Sequence, residues 1–465
     1  MIEGDFAAPS PAALADEVAA VLGGRHEPGV VAFERLLNGV VAHCSSGREE
    51  VAAALADVPH GPQGWSYGRA RALAGLVAAA VGPVRTRGDG EAAGAGWLEL
   101  CQHAALDYVA GARIAELHGR LRAGDPVPFL LSTPSRATGA VEAHALVARL
   151  AEYGRLGVRP GPADLGQALL RCGGRIDPGA VRAAEALGTA EGPRVADWLR
   201  RGGLPQPVGR REREPGAPER PSRRRGARAG RRILVGHEAI DGRGAFPRRF
   251  WSLFRKFEPH IGCPHASLPD GRDAHTVAVL PWHPETAAAR LLAGVASAAD
   301  QDGRGAPAFL EALATTDGPA GPAVHLAVAY GLASAPDPDR AAAVRALERL
   351  TVRGALDGEA LGRELVELVG LGTLKLPLLA DSLRTAAATP RGAPGVWAAL
   401  APSLPGLMAG TRPQAHGMLL GIAADAARSA GARGELPEVT SLAVRGGSSL
   451  LVREARRLRD TLAGR

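Results

Sequence analysis

Apolar residues recur every three to four positions along most of the chain, which is the spacing of one face of an α-helix. In the first part of the chain this pattern predicts helices over 10–23, 29–43, 47–57, 66–81, 95–122, 140–156, 162–172, 177–187 and 193–201. Short connections rich in Gly and Pro separate these segments, so we expect successive helices to be antiparallel neighbours in an N-terminal helical-repeat domain, residues 1–201.

The periodicity stops between Gly202 and Arg232. Prolines recur in this segment, and charged residues take the place of apolar ones. Such a composition cannot offset the entropy that ordering the chain would cost. The pattern therefore predicts a disordered Arg/Pro-rich linker over 202–232.

Residues 233–283 follow a different pattern. The apolar runs Ile233–Val235 and His275–Leu280 predict short strands, and Asp241-Gly242 predicts a turn. Phenylalanine and tryptophan are also concentrated here. We expect a small irregular or β-containing segment that caps a second helical body.

Helical spacing returns at Pro284 and continues to the C-terminus, where it predicts helices over 285–299, 306–315, 321–333, 338–353, 357–370, 374–387, 394–409, 412–431 and 446–463. Pairing successive helices gives units of roughly 35–45 residues, the length of HEAT-like repeats. We therefore expect a mainly all-α fold, an α-solenoid of HEAT-like helix pairs in two bodies, the second being residues 284–465. A compact helical bundle is the alternative, because helix pairs can also close on themselves.

The basic charge of the chain is concentrated in the linker. Residues 200–232 carry twelve Arg and three Glu, a net of +9, whereas the whole chain carries +7, so the remaining residues sum to −2. A nucleic-acid-binding domain more often carries its positive charge on a folded face. The charge distribution therefore weakens a nucleic-acid function for the folded parts.

No motif in the sequence specifies a reaction. The chain lacks a P-loop, a dinucleotide-binding GxGxxG turn, an HExxH zinc motif and a GxSxG nucleophile turn. We therefore expect a protein that is not an enzyme and that uses no cofactor.

Cysteine usage and hydropathy bear on localisation. Cys44, Cys101, Cys172 and Cys263 are scattered and form no CxxC pair, which is typical of reduced thiols in the cytoplasm. The first residues lack the regions of a signal peptide, and the longest apolar run is too short to span a bilayer. We expect a cytoplasmic protein without a membrane interaction.

One cluster has the residue types of a metal site. His260, Cys263 and His265 lie close together in the sequence, and His275 and His283 follow. Zinc takes three or four nitrogen or sulfur ligands, usually from closely spaced pairs. Only one Cys is present and the later histidines are unpaired, so the alternative interpretation is a polar loop with ordinary histidines.

The linker arginines have two interpretations. They can neutralise phosphates of DNA or RNA, or they can keep a Pro-rich spacer soluble and extended. No aromatic residue lies among them to stack on bases, which favours the spacer with weak, non-specific polyanion binding. The candidate polyanion contacts are Arg210, Arg211, Arg223, Arg224, Arg225, Arg228, Arg231 and Arg232.

Several segments resemble an uncharacterised family of actinobacterial proteins with domains of unknown function. The resemblance lies in 127–135 (VPFLLSTPS), 160–170 (PGPADLGQALL), 279–284 (VLPWHP) and 445–455 (RGGSSLLVREA). It implies HEAT-like helical parts and a bacterial cytoplasmic setting. It implies no catalytic or ligand-binding residue.

These observations favour a helical-repeat scaffold or adaptor, since stacked helix pairs form a long surface suited to protein partners. The identity of the partners does not follow from the sequence. One alternative is a nucleic-acid-binding protein that uses the Arg-rich linker and helix ends. A HEAT-like DNA-repair enzyme is a further alternative, which would need an aromatic and carboxylate pocket that the sequence does not locate.

Overall fold

The computed structural model of the chain describes residues 10–23, 28–58, 69–84, 101–214, 231–259, 273–301, 305–409 and 413–465. These residues form nineteen α-helices and one two-stranded sheet, which confirms the expected, mainly all-α class. In the N-terminal part the helices are α1 Pro11–Gly23, α2 Val30–Leu55, α3 Arg69–Val81, α4 Ala105–Arg122, α5 Ala143–Arg155, α6 Pro162–Arg171, α7 Pro178–Glu185 and α8 Gly192–Arg200. The strands are β1 Gly209–Arg213 and β2 Ile233–His237, followed by the 3-10 turns Arg243–Ala245 and Arg248–Phe254.

The remaining helices follow in an almost unbroken series. They are α9 Asp273–Val279, α10 Pro284–Gln301, α11 Pro307–Thr315, α12 Pro322–Leu332, α13 Asp337–Val352, α14 Gly358–Gly370, α15 Leu376–Ala387, α16 Ala393–Ala409, α17 Pro413–Ala430, α18 Pro437–Ala443 and α19 Leu450–Leu462. Local signals set their ends. Gly354 follows α13 with a φ of +66°, a conformation that glycine adopts without strain. The Asp357 side chain then accepts a hydrogen bond from the Ala360 N–H at 2.9 Å and caps α14.

Helix α2 contains a break where the sequence predicts a second helix to begin. The backbone at Gly47 is non-helical (φ −168°, ψ 81°). The next residue, Arg48, donates to the carbonyl oxygens of Ala79 (2.7 Å) and Leu121 (2.6 Å). These oxygens lie at the C-terminal ends of α3 and α4, where a cation complements the helix dipole. Arg48 therefore ties three helices together.

In the C-terminal part, helices two apart along the chain contact each other. Helix α10 contacts α12, α11 contacts α13, α14 contacts α16, and α17 contacts α19. Buried apolar side chains form one cluster that extends from Leu14 in α1 to Leu462 in α19. Within the described ranges, no helix is both long enough and apolar enough to cross a membrane.

Two expectations for the middle of the chain were wrong. Residues 275–280, predicted as a strand, lie largely in helix α9, which packs against α4, α6 and α11. Its β-branched residues are buried among helices, and this tertiary packing outweighs strand propensity. Residues 209–213, predicted as part of a disordered linker, form β1, which pairs in antiparallel fashion with β2. The strand predicted over 233–235 is confirmed as part of β2.

Candidate functional site: a groove above a buried polar network

An open groove lies between α3 and α4, with one wall completed by Phe33 of α2. Its volume is about 490 Å³, which falls within the roughly 300–1,000 Å³ of ordinary ligand pockets. The lining residues are Phe33, Arg71, Ala72, Gly75, Asp107, Ala110, Gly111, Ile114, Ala115 and His118.

The groove has an apolar floor and a polar rim. Small side chains, including Ala72, Ala110 and Ala115, line it and leave room for a ligand to approach the helix backbones. The exposed Arg71 and Asp107 bring charges of both signs to its edges. Burial, with the nearby Arg122 charge, lowers the pKa of His118. The groove is thus suited to a ligand that has an apolar surface for the floor and polar groups for the rim.

Beneath the groove, four charged side chains form a buried network. Arg113 of α4 donates to Glu34 of α2 at 2.8 Å and to Asp164 of α6 at 3.2 Å. Arg171 of α6 donates to the other oxygen of Glu34 at 2.7 Å. Each side chain is only 4% exposed. Two cations and two anions balance in charge, as burial requires.

The electrostatics of Glu34 follow from its two arginine partners. Burial opposes its ionisation, but the charges of Arg113 and Arg171 and the hydrogen bonds from both outweigh it and lower the pKa of Glu34 to about 2. Burial likewise disfavours the charged form of Arg113. The negative charges of Glu34 and Asp164 and their hydrogen bonds with the guanidinium group outweigh this effect, so the pKa of Arg113 is raised. The network is therefore held in its ionised form at neutral pH.

The network also fixes a loop, residues 127–134, that crosses the protein interior. The Leu131 N–H and the Ser132 hydroxyl donate to Asp164 at 2.7 and 2.5 Å. The Leu130 N–H donates to the amide oxygen of Asn38 in α2 at 2.8 Å. These bonds give partners to loop N–H groups, which have none within a helix or a sheet.

The carbonyl oxygens of the same loop are satisfied from the opposite side. Arg171 donates to one of them at 2.6 Å, and Arg149 of α5 donates to two more at 2.8 and 2.6 Å. The Tyr153 hydroxyl donates to a fourth. Side chains of α2, α5 and α6 thus hydrogen-bond both the N–H groups and the carbonyl oxygens of the loop, and the loop links these three helices below the groove.

A smaller space of about 30 Å³ lies beside the groove, and the two share Phe33, Ala110 and Ile114 as lining residues. Arg113 also lines this space, and its Nη2 group is buried with no acceptor among the residues that the structure describes. A space of this size admits a water molecule or a single polar atom of a ligand. The polar network thus reaches the groove's edge.

The candidate metal ligands His260, Cys263 and His265 lie outside the described residues. In the part of the chain that the structure describes, no group of three or more His, Cys, Asp or Glu side chains has the arrangement of a metal site. His275 is buried and donates from Nε2 to the Pro28 carbonyl at 2.7 Å. His283 is buried as well, which lowers its pKa to about 4.

Four of the eight candidate polyanion contacts are described, and all four make contacts within the protein. Arg211 donates to Glu364 and Glu367 of α14, and Arg232 pairs with Asp300 of α10 at 3.2 Å. Arg210 pairs with Glu212 at 2.7 Å, and Arg231 donates to the Gly372 carbonyl at 3.5 Å. The other four, Arg223, Arg224, Arg225 and Arg228, lie outside the described residues.

Sequence reasoning did not identify the groove or the network. The available signal was α6, in which Asp164, Gln167 and Arg171 alternate with apolar residues around the whole helix. A helix without a polar face is buried, and buried polar side chains need partners. Comparison with models of protein families, with curated proteins and with solved structures found no match for this chain.

Proposed function

We propose that this chain is a helical scaffold of the bacterial cytoplasm that binds a protein partner, and that the groove between α3 and α4 holds an amphipathic helix of that partner. The observation that carries the proposal is the groove itself, an open apolar trough of about 490 Å³ between two helices. Binding of a helix by its apolar face is an established mode of recognition for such grooves.

The small residues of the groove favour a helix over an extended peptide. The groove's lining residues on α4 run from Asp107 to His118, which at about 1.5 Å per residue corresponds to roughly 17 Å of helix. Gly75 and Gly111 lack a side chain at its walls, so another helix can approach closely. Arg71 and Asp107 at the rim favour a partner with charged residues of both signs beside its apolar stripe.

The buried network supports a role in binding rather than in proton transfer. With a pKa of about 2, Glu34 is a poor proton acceptor at neutral pH, and Arg113 with its raised pKa does not release a proton. Both side chains instead hold α2 and α4 at a fixed spacing. A rigid floor lowers the entropy that binding costs.

A second part of the proposal concerns architecture. We propose that helices α10–α19 form stacked HEAT-like pairs. The contacts between α10 and α12 and between α11 and α13 support this arrangement, since pairs of helices contact the next pair in a solenoid. The surface of such a stack would add a second area for protein partners.

The test fills the groove without disturbing the fold. A Cβ atom added at Gly75 or Gly111 meets nothing within 4 Å, so the double variant Gly75→Leu/Gly111→Leu places two side chains in the groove. The control is Gly119→Leu, on α4 outside the groove, where a Cβ also meets nothing within 4 Å. A displayed library of amphipathic helical peptides about as long as α3 is selected on the wild-type protein.

We expect selected peptides to bind wild type and Gly119→Leu equally and to bind the groove variant at least tenfold more weakly. Peptides that bind all three proteins with the same affinity would place recognition elsewhere. A selection that enriches no helical peptide would contradict the proposal as well.

A further inference from the structure

A second surface of the protein combines arginines with an aromatic ring. Residues 243–257 contain five basic and no acidic side chains. Arg243, Arg248, Arg249 and Arg255 are exposed, and Trp251 among them is half-buried. We refer to these five residues as the basic–aromatic surface.

The surface is held from below by aromatic packing. Phe250 and Phe254 of the same 3-10 turn are buried, and each lies against Phe246 at ring distances of 6.0 and 5.0 Å. The Trp251 indole N–H donates to the Phe246 carbonyl at 3.0 Å, which fixes the orientation of its ring. The short turn therefore places phenylalanines inward and leaves arginines and the indole outward.

Two guanidinium groups lie on the same indole. The central carbon of Arg243 is 4.9 Å from the Trp251 ring centroid, and that of Arg248 is 5.5 Å away. Both distances are in the range of cation–π attraction. The ring therefore holds two like charges close together on the surface.

None of the four exposed arginines has a carboxylate within 4.0 Å among the residues that the structure describes. The neighbouring Lys256 does, since it pairs with Glu258 at 2.8 Å. Arg210 and Arg211 of strand β1 are also paired with glutamates. The basic–aromatic surface thus carries a positive charge that no carboxylate of the described residues compensates.

We propose that the basic–aromatic surface binds single-stranded nucleic acid, a function separate from the groove. Guanidinium groups match phosphate oxygens with two parallel hydrogen bonds, and their flat faces stack on unpaired bases. The indole holds Arg243 and Arg248 side by side by cation–π contacts, and arginines combined with aromatic rings are typical of sequence-tolerant single-strand binders. A bound phosphate would also relieve the repulsion between Arg243 and Arg248.

Two other anionic partners fit less well. A membrane surface would favour protruding apolar side chains, but Phe246, Phe250 and Phe254 are at most 6% exposed. An acidic peptide would use the charges but would gain little from the indole. The contribution of Trp251 therefore distinguishes nucleic acid from an acidic peptide.

The experiment measures binding of a fluorescent single-stranded oligonucleotide of about 16 nucleotides, the upper range of one binding site, by anisotropy over a series of salt concentrations. The full chain is used as wild type, Arg248→Gln/Arg249→Gln, Trp251→Ala and Trp251→Phe. The matched charge control is Arg391→Gln/Arg453→Gln, two exposed arginines on distant helical parts. A further variant replaces Arg223, Arg224, Arg225 and Arg228 by Gln.

We expect Arg248→Gln/Arg249→Gln to weaken binding at least tenfold and to reduce the salt slope by about 1.4, which is about 0.7 for each lost phosphate contact. Trp251→Ala should weaken binding about tenfold, while Trp251→Phe, which keeps an aromatic ring, should retain most of the affinity. The charge control should stay within twofold of wild type.

Several results would overturn the proposal. Equal losses in the charge control and the arginine variant would indicate a net-charge effect. Loss only in the variant of residues 223–228 would assign binding to that segment. Unchanged oligonucleotide binding by Trp251→Ala, or tighter binding to poly-glutamate or to phosphatidylserine vesicles, would favour another partner. Far-UV circular dichroism and the Tm of each variant verify that it is folded.

Discussion

Replacement of Glu34 by Gln tests whether the buried network stabilises the fold through its charges. The substitution keeps the size of the side chain and removes the anion that accepts from Arg113 at 2.8 Å and from Arg171 at 2.7 Å. Only Asp164 then remains as a buried counter-charge for the two guanidinium groups. An uncompensated buried cation is costly, because no water replaces the lost partner.

The magnitude follows from the pKa of the carboxyl group. The network lowers the pKa of Glu34 from 4.5 to about 2, and each pKa unit is worth about 1.4 kcal/mol, so ionised Glu34 contributes about 3 kcal/mol of stability. Because its folded-state pKa is depressed, this contribution is present above pH 4.5 and declines as the pH falls towards 2. At neutral pH we expect Glu34→Gln to lower the free energy of unfolding by about 3–5 kcal/mol.

The assay is chemical denaturation of wild type and Glu34→Gln between pH 7 and pH 3. The difference between the two should shrink by about 2 kcal/mol as the pH falls from 4.5 to 3, because the wild type alone loses the contribution of this carboxylate. The control is Glu359→Gln, which removes an exposed partner of Arg363 on α14 and should cost less than about 1 kcal/mol. A loss below about 1 kcal/mol for Glu34→Gln, or a difference that is constant with pH, would refute this account.

Three further predictions concern other parts of the fold. Gly139→Ala should lower the free energy of unfolding by more than about 2 kcal/mol, since φ is +95° and the new Cβ would lie 2.8 Å from a backbone oxygen of α9. The control Gly188→Ala, where φ is +65° and a Cβ meets nothing within 4 Å, should cost about 1 kcal/mol. Equal losses of the two variants in thermal denaturation would contradict this prediction. Burial lowers the pKa of His283 to about 4, so the folded protein disfavours protonation of this ring. This burial carries no ionisation cost above pH 6.5, and stability declines as the pH falls from 6.5 towards 4 because the unfolded chain binds the proton more readily. His283→Gln should therefore flatten the measured stability over that interval. Limited trypsin digestion followed by mass spectrometry should show no early cleavage after Arg211 or Arg232, because ion pairs hold Arg211 to α14 and Arg232 to α10. Early cleavage after either arginine would refute this prediction.

The helices were largely predictable because their signals are local. The pattern predicted helices over 29–43 and 47–57, and α2 has its break at Gly47. Helix α18, Pro437–Ala443, was missed because seven residues hold too little periodicity to stand out. Helix α9 was assigned to the wrong class because its short apolar run suits either a strand or a buried helix, and only the surrounding helices decide between them.

The groove and its buried network were less predictable because they join residues that are distant in the sequence. Glu34 and Arg171 are 137 positions apart, and Glu34 lies on an amphipathic helix where an acid is normally solvated. The basic–aromatic surface left a visible signal in the alternation of Arg with Phe and Trp over 243–257. Sequence reasoning did not single it out because the arginine-rich linker dominates the overall charge.

The pairing of β1 with β2 brings together the two ends of the connection between them. Arg213 pairs with Ile233, and the Glu214 N–H donates to the Arg232 carbonyl at 2.9 Å, so Glu214 and Arg232 lie next to each other. Each doubling of a connection's length adds only about 0.6 kcal/mol to the entropy of closing it. We therefore expect a fluorescent or affinity domain inserted between Glu214 and Arg231 to leave the pairing of β1 with β2 intact.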